Sequence, residues 1–116
     1  MIYVTNRCNS LCKHCYIWEA KPKYDLSIET IKNALNSKYL LKSASIGLEG
    51  GEFFMHPRWR EILSLMKGKN YVLLTNGIMT DLVIGAVKEF KIPKLQLSIE
   101  GNKETYKNIR GVDKYD

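Results

Sequence analysis

Four short stretches of hydrophobic residues, two of them with a clear alternation of apolar and polar positions, predict four β-strands. They lie at residues 2–5, 44–49, 71–75 and 95–99. Apolar and polar residues alternate in the second and in the last stretch, as expected for strands with one face buried. Gly50, and later Asn76 with Gly77, end the second and third strands.

Between these strands, apolar residues recur at three- and four-residue spacing, which predicts three helices. Ser27 is a suitable N-cap for the first helix, Pro57 opens the second, and Thr80 can cap a third that extends to Phe90. The apolar positions of the three helices are Ile28, Ile31, Leu35 and Tyr39, then Trp59, Ile62, Leu63 and Met66, then Leu82, Val83, Ala86, Val87 and Phe90.

The resulting order, βαβαβαβ, predicts an α/β fold: a parallel sheet with helices on its outer face and right-handed crossovers. The apolar face of each strand should meet the helices. The other face should be small and polar, and it would carry Thr5, Ser45, Gly47, Glu49, Thr75, Gln96, Ser98 and Glu100. A polar interior requires water or a polar ligand to satisfy its hydrogen bonds.

Length and composition indicate a single soluble domain. The chain has 116 residues, 45% of them hydrophobic and 26% charged, which is ordinary for a globular protein. The apolar runs are too short to predict a membrane span, and the first residues do not predict a signal peptide. The net charge of +6 is scattered along the chain, so it gives no nucleic-acid footprint. Clustered cysteines without a disulfide pattern predict a reducing, cytoplasmic location.

All three cysteines lie in one short segment, as Cys8, Cys12 and Cys15 with the spacing C-x3-C-x2-C. Their number is odd and they are too close for a disulfide framework, so they indicate a metal or a cluster. Three thiolates can hold a [4Fe–4S] cluster and leave one iron open to a small molecule. The alternative is a zinc site of the Cys3His type, with His14 as the fourth ligand.

The cysteine motif followed by the aromatic Tyr16 resembles the cluster motif of the radical S-adenosylmethionine (SAM) enzymes. The resemblance implies that the open iron is chelated by the amino and carboxylate groups of SAM. Reductive cleavage of SAM then yields a 5′-deoxyadenosyl radical, which abstracts a hydrogen atom from the substrate. Tyr16 would lie near the adenine, and Cys8, Cys12 and Cys15 would be the metal ligands.

Later segments resemble further motifs of the same family, in the same order. Gly50, Gly51 and Glu52 match its Gly-Gly-Glu motif, which implies contacts with the amino group of SAM, although Phe53 stands where proline is usual. His56, in the same segment, is interpreted as a residue that begins a helix rather than as a catalyst. The other matching positions are Thr75 and Asn76, then Ser98 and Glu100 for the ribose of SAM, with glutamate in place of aspartate, and Arg110 for its carboxylate.

The resemblance implies a parallel (βα)4 unit that forms about half of a partial TIM-type (β/α)6 barrel. Because a whole barrel domain has about 250 residues and residues 111–116 look like the start of another helix, we expect residues 1–116 to be the N-terminal portion of a radical SAM core domain, truncated within the barrel. The motif set is closest to the branch that includes enzymes of peptide modification, molybdenum-cofactor and haem pathways.

The implied partners are an unidentified substrate, a peptide or a small molecule, and an electron donor such as flavodoxin or ferredoxin. An uncovered edge strand would also allow a homodimer. Two other functions stay open: a half-barrel that binds the cluster and SAM but is inactive alone, and a small zinc-binding interaction domain.

Overall fold

The computed structural model describes residues 1–41 and 44–116 and contains a four-stranded parallel sheet with helices. The strands are β1 (Ile2–Tyr3), β2 (Ile46–Glu49), β3 (Tyr71–Thr75) and β4 (Leu95–Leu97), and the helices are α1 (Ile28–Leu35), α2 (Trp59–Leu65), α3 (Thr80–Phe90) and α4 (Lys103–Arg110). The spatial order of the strands is β1-β2-β3-β4, and all three pairings are parallel. The predicted α/β fold with a (βα)4 unit is therefore confirmed. Among the described residues, no helix is long and apolar enough to cross a membrane.

The hydrophobic core lies between the sheet and the helices. Leu48 of β2 and Leu73 of β3 pair in register, and both are fully buried together with Ile31 of α1 and Ile62 of α2. Burial of each such side chain stabilises the fold by roughly 1.5–3 kcal/mol. The three predicted apolar stripes all contribute to this core, except at Tyr39.

The helix ends agree with the sequence in part. Ser27 caps α1 as predicted, because its hydroxyl accepts a hydrogen bond from the Thr30 N–H. The predicted apolar stripe of the first helix is too long, because α1 ends at Leu35 and Tyr39 is 83% exposed. Thr80 is the first residue of α3 rather than its cap, since its hydroxyl donates to the carbonyl of Gly77.

His56 precedes α2, as expected of a residue that begins a helix. Its Nδ1 accepts a hydrogen bond from the Arg58 N–H, so its Nε2 carries the proton and donates to the carbonyl of Leu26. Both ring nitrogens are occupied and the residue is buried. These contacts tie the start of α2 to the segment before α1.

Thr75 does not lie on the polar face of the sheet, where the sequence analysis placed it. It pairs in register with Leu97, as Leu73 pairs with Leu95, and it shares the buried helix side of the sheet with Tyr71 and Leu73. Because successive side chains of a strand point to opposite faces, Val72 and Leu74 share the inner face with Glu49 and Gln96. The inner face is thus less polar than predicted.

The edge strand β4 is shorter and more open than predicted. It ends at Leu97 instead of Ile99, and its apolar side chains are only partly covered: Leu97 is 49% and Ile99 63% exposed. A groove of about 710 Å³ runs along this strand between α3 and the C-terminal residues. The groove is lined mainly by apolar side chains, among them Val83, Ile84, Val87, Leu95, Leu97 and Tyr115.

Helix α4 was not among the three helices predicted from the sequence. Asn102 caps it through a bond from the Thr105 N–H to its side-chain oxygen, and Gly111 ends it in the left-handed conformation with φ 66°. An N-cap residue and a C-terminal glycine are the usual signals for such a helix. Residues 111–116 had been interpreted as the start of a new helix; instead, Gly111 ends α4 and the residues after it are irregular.

Candidate functional site

The chemically distinctive residues follow the carboxyl ends of the four strands. The cysteine segment, residues 8–15, follows β1, and the Gly50-Gly51-Glu52 segment follows β2. Asn76 follows β3, and Ser98 follows β4. Because the strands are parallel, these ends lie along one edge of the sheet, where barrel enzymes place their sites.

The cysteine segment presents its three thiols at different depths. Cys12 is buried, Cys8 is partly buried and Cys15 is exposed. The Cys15 N–H donates to the carbonyl of Cys12, which also accepts from Nε1 of Trp18. Burial raises the pKa of Cys8, as do the negative charges of Glu52, Cys12 and Cys15, whereas the Ser10 N–H acts in the opposite direction.

The three thiols are not arranged as ligands of a single metal ion. Among the residues that the structure describes, no group of three or more His, Cys, Asp or Glu side chains is close enough together to hold a metal ion. The chemistry of the donor set nevertheless fits an iron–sulfur cluster, because three cysteine thiols lie within one segment of the chain.

The glycines after β2 hold the start of the cysteine segment. The Gly51 N–H donates to the carbonyl of Thr5 at 2.9 Å, and the Glu52 N–H to that of Arg7 at 2.8 Å. A Cβ at Gly50 would lie 2.6 Å from the Thr5 oxygen, and one at Gly51 would lie 2.3 Å from the Arg7 oxygen. The close approach that glycine permits here is therefore to the chain itself.

Glu52 connects the ends of β2 and β3. Its carboxylate is 2% exposed and accepts three hydrogen bonds: from the Phe54 N–H, from the Thr75 hydroxyl at 2.8 Å and from the Asn76 N–H at 2.8 Å. Burial raises the pKa of Glu52, and the three donors offset this only in part.

Asn76 links β3 to the cysteine segment. Its Nδ2 donates to Oδ1 of Asn9 at 2.7 Å and to Oγ of Ser10 at 3.3 Å. Its own Oδ1 accepts from the Ile78 N–H, which fixes the amide. The segment is thus tied to the third strand end as well as to the second.

Helix α4 supports the other side of the cysteine segment. The Leu11 N–H donates to the carbonyl of Arg110 and the Lys13 N–H to that of Ile109, both at 2.9 Å. The Arg110 guanidinium is buried and forms a bidentate pair with Glu100, at 2.5 and 2.8 Å. It also donates to the carbonyl of Ser98 at 2.7 Å.

A small polar pocket of about 120 Å³ lies among these segments. Seven of the predicted cofactor-binding residues line it: Gly50, Gly51, Glu52, Thr75, Asn76, Ser98 and Arg110. Two others do not: Tyr16 is 63% exposed, and both oxygens of Glu100 accept from Arg110. The larger apolar groove along β4 includes only Asn76 from this set.

Glu49 also lines the pocket, although no motif pointed to it. Its Oε1 is buried and has no hydrogen-bond partner among the residues described. A buried carboxylate oxygen without a donor is costly, so this atom suits a ligand that brings one. The feature of the sequence that could have identified Glu49 is its position at the end of β2, on the inner face of the sheet.

Comparison with known proteins gives a consistent result. The model of the radical SAM superfamily matches residues 2–116. The chain is 36% identical over 80 residues to the antilisterial bacteriocin subtilosin biosynthesis protein AlbA of Bacillus subtilis, covering 66% of this chain and 18% of that protein. It is 30% identical over 114 residues to the Fe-coproporphyrin III synthase of Methanosarcina barkeri, covering 94% of this chain and 29% of that protein.

The chain thus spans less than a third of the length of either relative. Its match to the family model covers nearly its whole length, and it includes the cysteine motif and the segments that follow the four strands. Members of this family are enzymes that bind a [4Fe–4S] cluster and SAM. The chain belongs to the radical SAM superfamily.

Proposed function

We propose that residues 1–116 are the N-terminal portion of a radical SAM core domain, in which Cys8, Cys12 and Cys15 ligate a [4Fe–4S] cluster. The polar pocket at the strand ends would hold the amino-acid part of SAM. The function is reductive cleavage of SAM to start radical chemistry, by hydrogen abstraction, on an unidentified substrate.

One observation carries this proposal: the segment with the three thiols is bonded on three sides to the segments that line the pocket. Backbone bonds join Thr5 and Arg7, just before this segment, to the residues after β2, and they join the segment itself to the end of α4. The Asn76 amide joins it to β3. A ligand in the pocket would therefore lie beside the thiols.

The pocket has the charges that suit an amino acid. Glu49 and Glu52 supply carboxylates for an ammonium group, and Glu49 has an unpartnered oxygen. Arg110 supplies a guanidinium, which is suited to a carboxylate. The volume of about 120 Å³ fits a small head group rather than a whole nucleoside. The adenosine would therefore extend past Ser98, which lines the pocket, toward Tyr16 and Glu100, which do not.

When bound, the cluster supplies the electron that cleaves SAM. The residues of this chain orient the reactants: the cysteines hold iron, the segments after β2 and β3 shape the pocket, and Glu52 with Thr75 and Asn76 keeps the two strand ends together. The electron donor would be a flavodoxin or a ferredoxin, and the substrate would be a peptide or a small molecule.

The test is anaerobic reconstitution with iron and sulfide, followed by electron paramagnetic resonance of the reduced protein with and without SAM. We expect a [4Fe–4S] signal that shifts when SAM is added. A colourless protein that contains zinc and does not respond to SAM would overturn the proposal and favour the zinc-binding domain, with His14 as a ligand.

The ligand assignment has its own test in the variant Cys12→Ala. We expect loss of the cluster, measured as iron and sulfide per protein and by absorption. Leu11→Ala is the matched control, because Leu11 lies in the same segment, its side chain is 47% exposed, and it is bonded to Arg110 through its backbone. Full iron content in Cys12→Ala would refute the assignment.

A second candidate function is a half-barrel that binds the cluster and SAM but is inactive on its own. The open groove along β4 favours it, because the apolar side of the last strand is only partly covered. A SAM-dependent shift in the resonance signal, without any 5′-deoxyadenosine or methionine formed under reducing conditions, is the result expected for such a module.

A further inference from the structure

The end of α4 is built into the cysteine segment. The carbonyls of Ile109 and Arg110, which have no partner within the helix, accept from the N–H groups of Lys13 and Leu11. Gly111 makes this contact close: a Cβ there would lie 2.9 Å from the Leu11 carbonyl oxygen, and its φ is 66°. The position of Arg110 is therefore fixed relative to the cysteines.

The side chain of Arg110 is fixed as well. It is 5% exposed; Nε and Nη2 bond to the carboxylate of Glu100, and Nη2 bonds also to the carbonyl of Ser98. A planar guanidinium with these two nitrogens engaged leaves Nη1 in a set direction. Nη1 lies 3.9 Å from Sγ of Cys12, which is buried.

Hydrogen bonds to the sulfurs, net charge and burial set the reduction potential of an iron–sulfur cluster. Reduction adds one negative charge, so a neighbouring positive charge favours the reduced state. The pair with Glu100 weakens the effect of the Arg110 charge without removing it, because Nε and Nη2 form that pair and Nη1 donates to the Cys12 sulfur instead.

We propose that Arg110 is a positioning residue for the cluster: it donates from Nη1 to the sulfur of Cys12 and raises the reduction potential of the cluster before SAM binds. This inference rests on the proposed function, because it requires a cluster on Cys12. It is distinct from a contact between Arg110 and the carboxylate of SAM, which would change the affinity for SAM and leave the potential of the SAM-free cluster unaltered.

The test is a redox titration of the reconstituted, SAM-free protein, monitored by electron paramagnetic resonance. We expect Arg110→Gln to lower the midpoint potential by the equivalent of a tenfold change in the one-electron equilibrium constant, about 59 mV. Arg110→Lys keeps the charge but loses the planar fork, so its potential should lie between those of Arg110→Gln and the wild type.

Lys107→Gln is the matched control. Lys107 lies one turn earlier on α4, is exposed, and pairs with Asp113, so removing its charge should leave the potential unchanged. If Arg110→Gln does not assemble a cluster, Arg110→Lys decides: a lower potential supports the proposal and an unchanged one overturns it. An unchanged potential in Arg110→Gln with weakened SAM binding also overturns it and assigns Arg110 to SAM alone.

These outcomes are separate from failure of the proposed function. If the wild-type protein assembles no SAM-responsive cluster, the proposed function fails before any variant is measured. If the wild type responds to SAM and the Arg110 variants keep its potential, the function stands and only the inference about Arg110 is wrong.

Discussion

Asp25 holds the residues that lead into the cysteine segment. Its Oδ1 accepts from the hydroxyl of Thr5 at 2.7 Å, and its carboxylate accepts from Nε of Arg7. Thr5 and Asp25 also form an isolated antiparallel bridge. A carboxylate with two side-chain donors stabilises the fold only when it is ionised, so this contact should depend on pH.

We predict that Asp25→Asn lowers the free energy of unfolding at pH 7 and that the loss disappears in acid. Burial alone would raise the pKa of Asp25, but the bonds from Thr5 and Arg7 lower it below 3.8 in the folded state. For an acid with a lowered folded pKa, the stabilisation is complete above the unfolded pKa and is lost as the pH falls through the folded one.

Urea unfolding of the wild type and the variant from pH 7 down to about pH 2, below the lowered pKa of Asp25, measures this difference. Glu19→Gln, which removes a carboxylate from an exposed position, is the control and should follow the wild type. A difference between Asp25→Asn and the wild type that stays constant down to the lowest pH would show that the contact does not depend on the Asp25 charge.

At the level of elements, Gly51 allows the segment after β2 to pack closely against the start of the cysteine segment. We predict that Gly51→Ala destabilises the protein strongly and lowers the cluster content, because the added Cβ would lie 2.3 Å from the Arg7 carbonyl oxygen and 3.0 Å from Cβ of Cys8. Backbone atoms cannot move aside as a flexible side chain can, so the two segments must separate.

Gly85→Ala in α3 is the matched control, because it makes the same glycine-to-alanine change elsewhere in the chain. Beyond the adjoining backbone of its own helix, no atom lies within 4 Å of the position of its added Cβ. Alanine favours a helix over glycine by roughly 0.5–1 kcal/mol. Gly85→Ala should therefore raise the free energy of unfolding in urea and leave the iron content unchanged. If Gly51→Ala retained wild-type stability and iron content, the close contact with Arg7 would not be essential.

Elements with a regular hydrophobic period were predictable from the sequence. Features that depend on contacts between distant parts of the chain were not. The predicted bounds of β3 agree with the structure at every residue, and those of α3 differ only at Thr80, which begins the helix instead of capping it. Hydrophobic periodicity is strong in both elements. The polarity of Thr75 favours the wrong face of the sheet, because its hydroxyl has a buried partner in Glu52 that a local pattern does not show. A polar residue with a partner can lie on a buried face.

The candidate site was predictable as a set of motifs, but not as a network. Motif spacing identified the cysteines and seven of the pocket residues. It gave no indication that the glycines contact Thr5 and Arg7, or that α4 supports the cysteine segment through Leu11 and Lys13. These contacts join positions about 100 residues apart in the case of α4, and a local pattern carries no information about them.

At the scale of the whole molecule, the sheet edge at β4 leaves apolar side chains uncovered. Strands β2 and β3 each have two neighbours, whereas β4 pairs only with β3, and its apolar side forms part of the groove of about 710 Å³. An exposed edge strand with apolar side chains is a site for pairing with another chain. Pairing with a second copy would cover this surface.

We therefore predict that the protein forms a homodimer through β4 and that Leu97→Glu converts it to a monomer. Leu97 is 49% exposed and lines the groove, so a glutamate there remains solvated in the monomer but would be buried without a partner in the dimer. Sedimentation equilibrium over a range of protein concentrations, with circular dichroism to establish folding, measures both states.

Tyr39→Glu is the control for this experiment, because Tyr39 is 83% exposed and is not among the residues that line the groove. It should leave the dimer intact. A wild-type protein that sediments as a monomer at every concentration would refute the dimer. Equal dimerisation of wild type and Leu97→Glu would place the interface elsewhere, and the groove would then have no role in self-association.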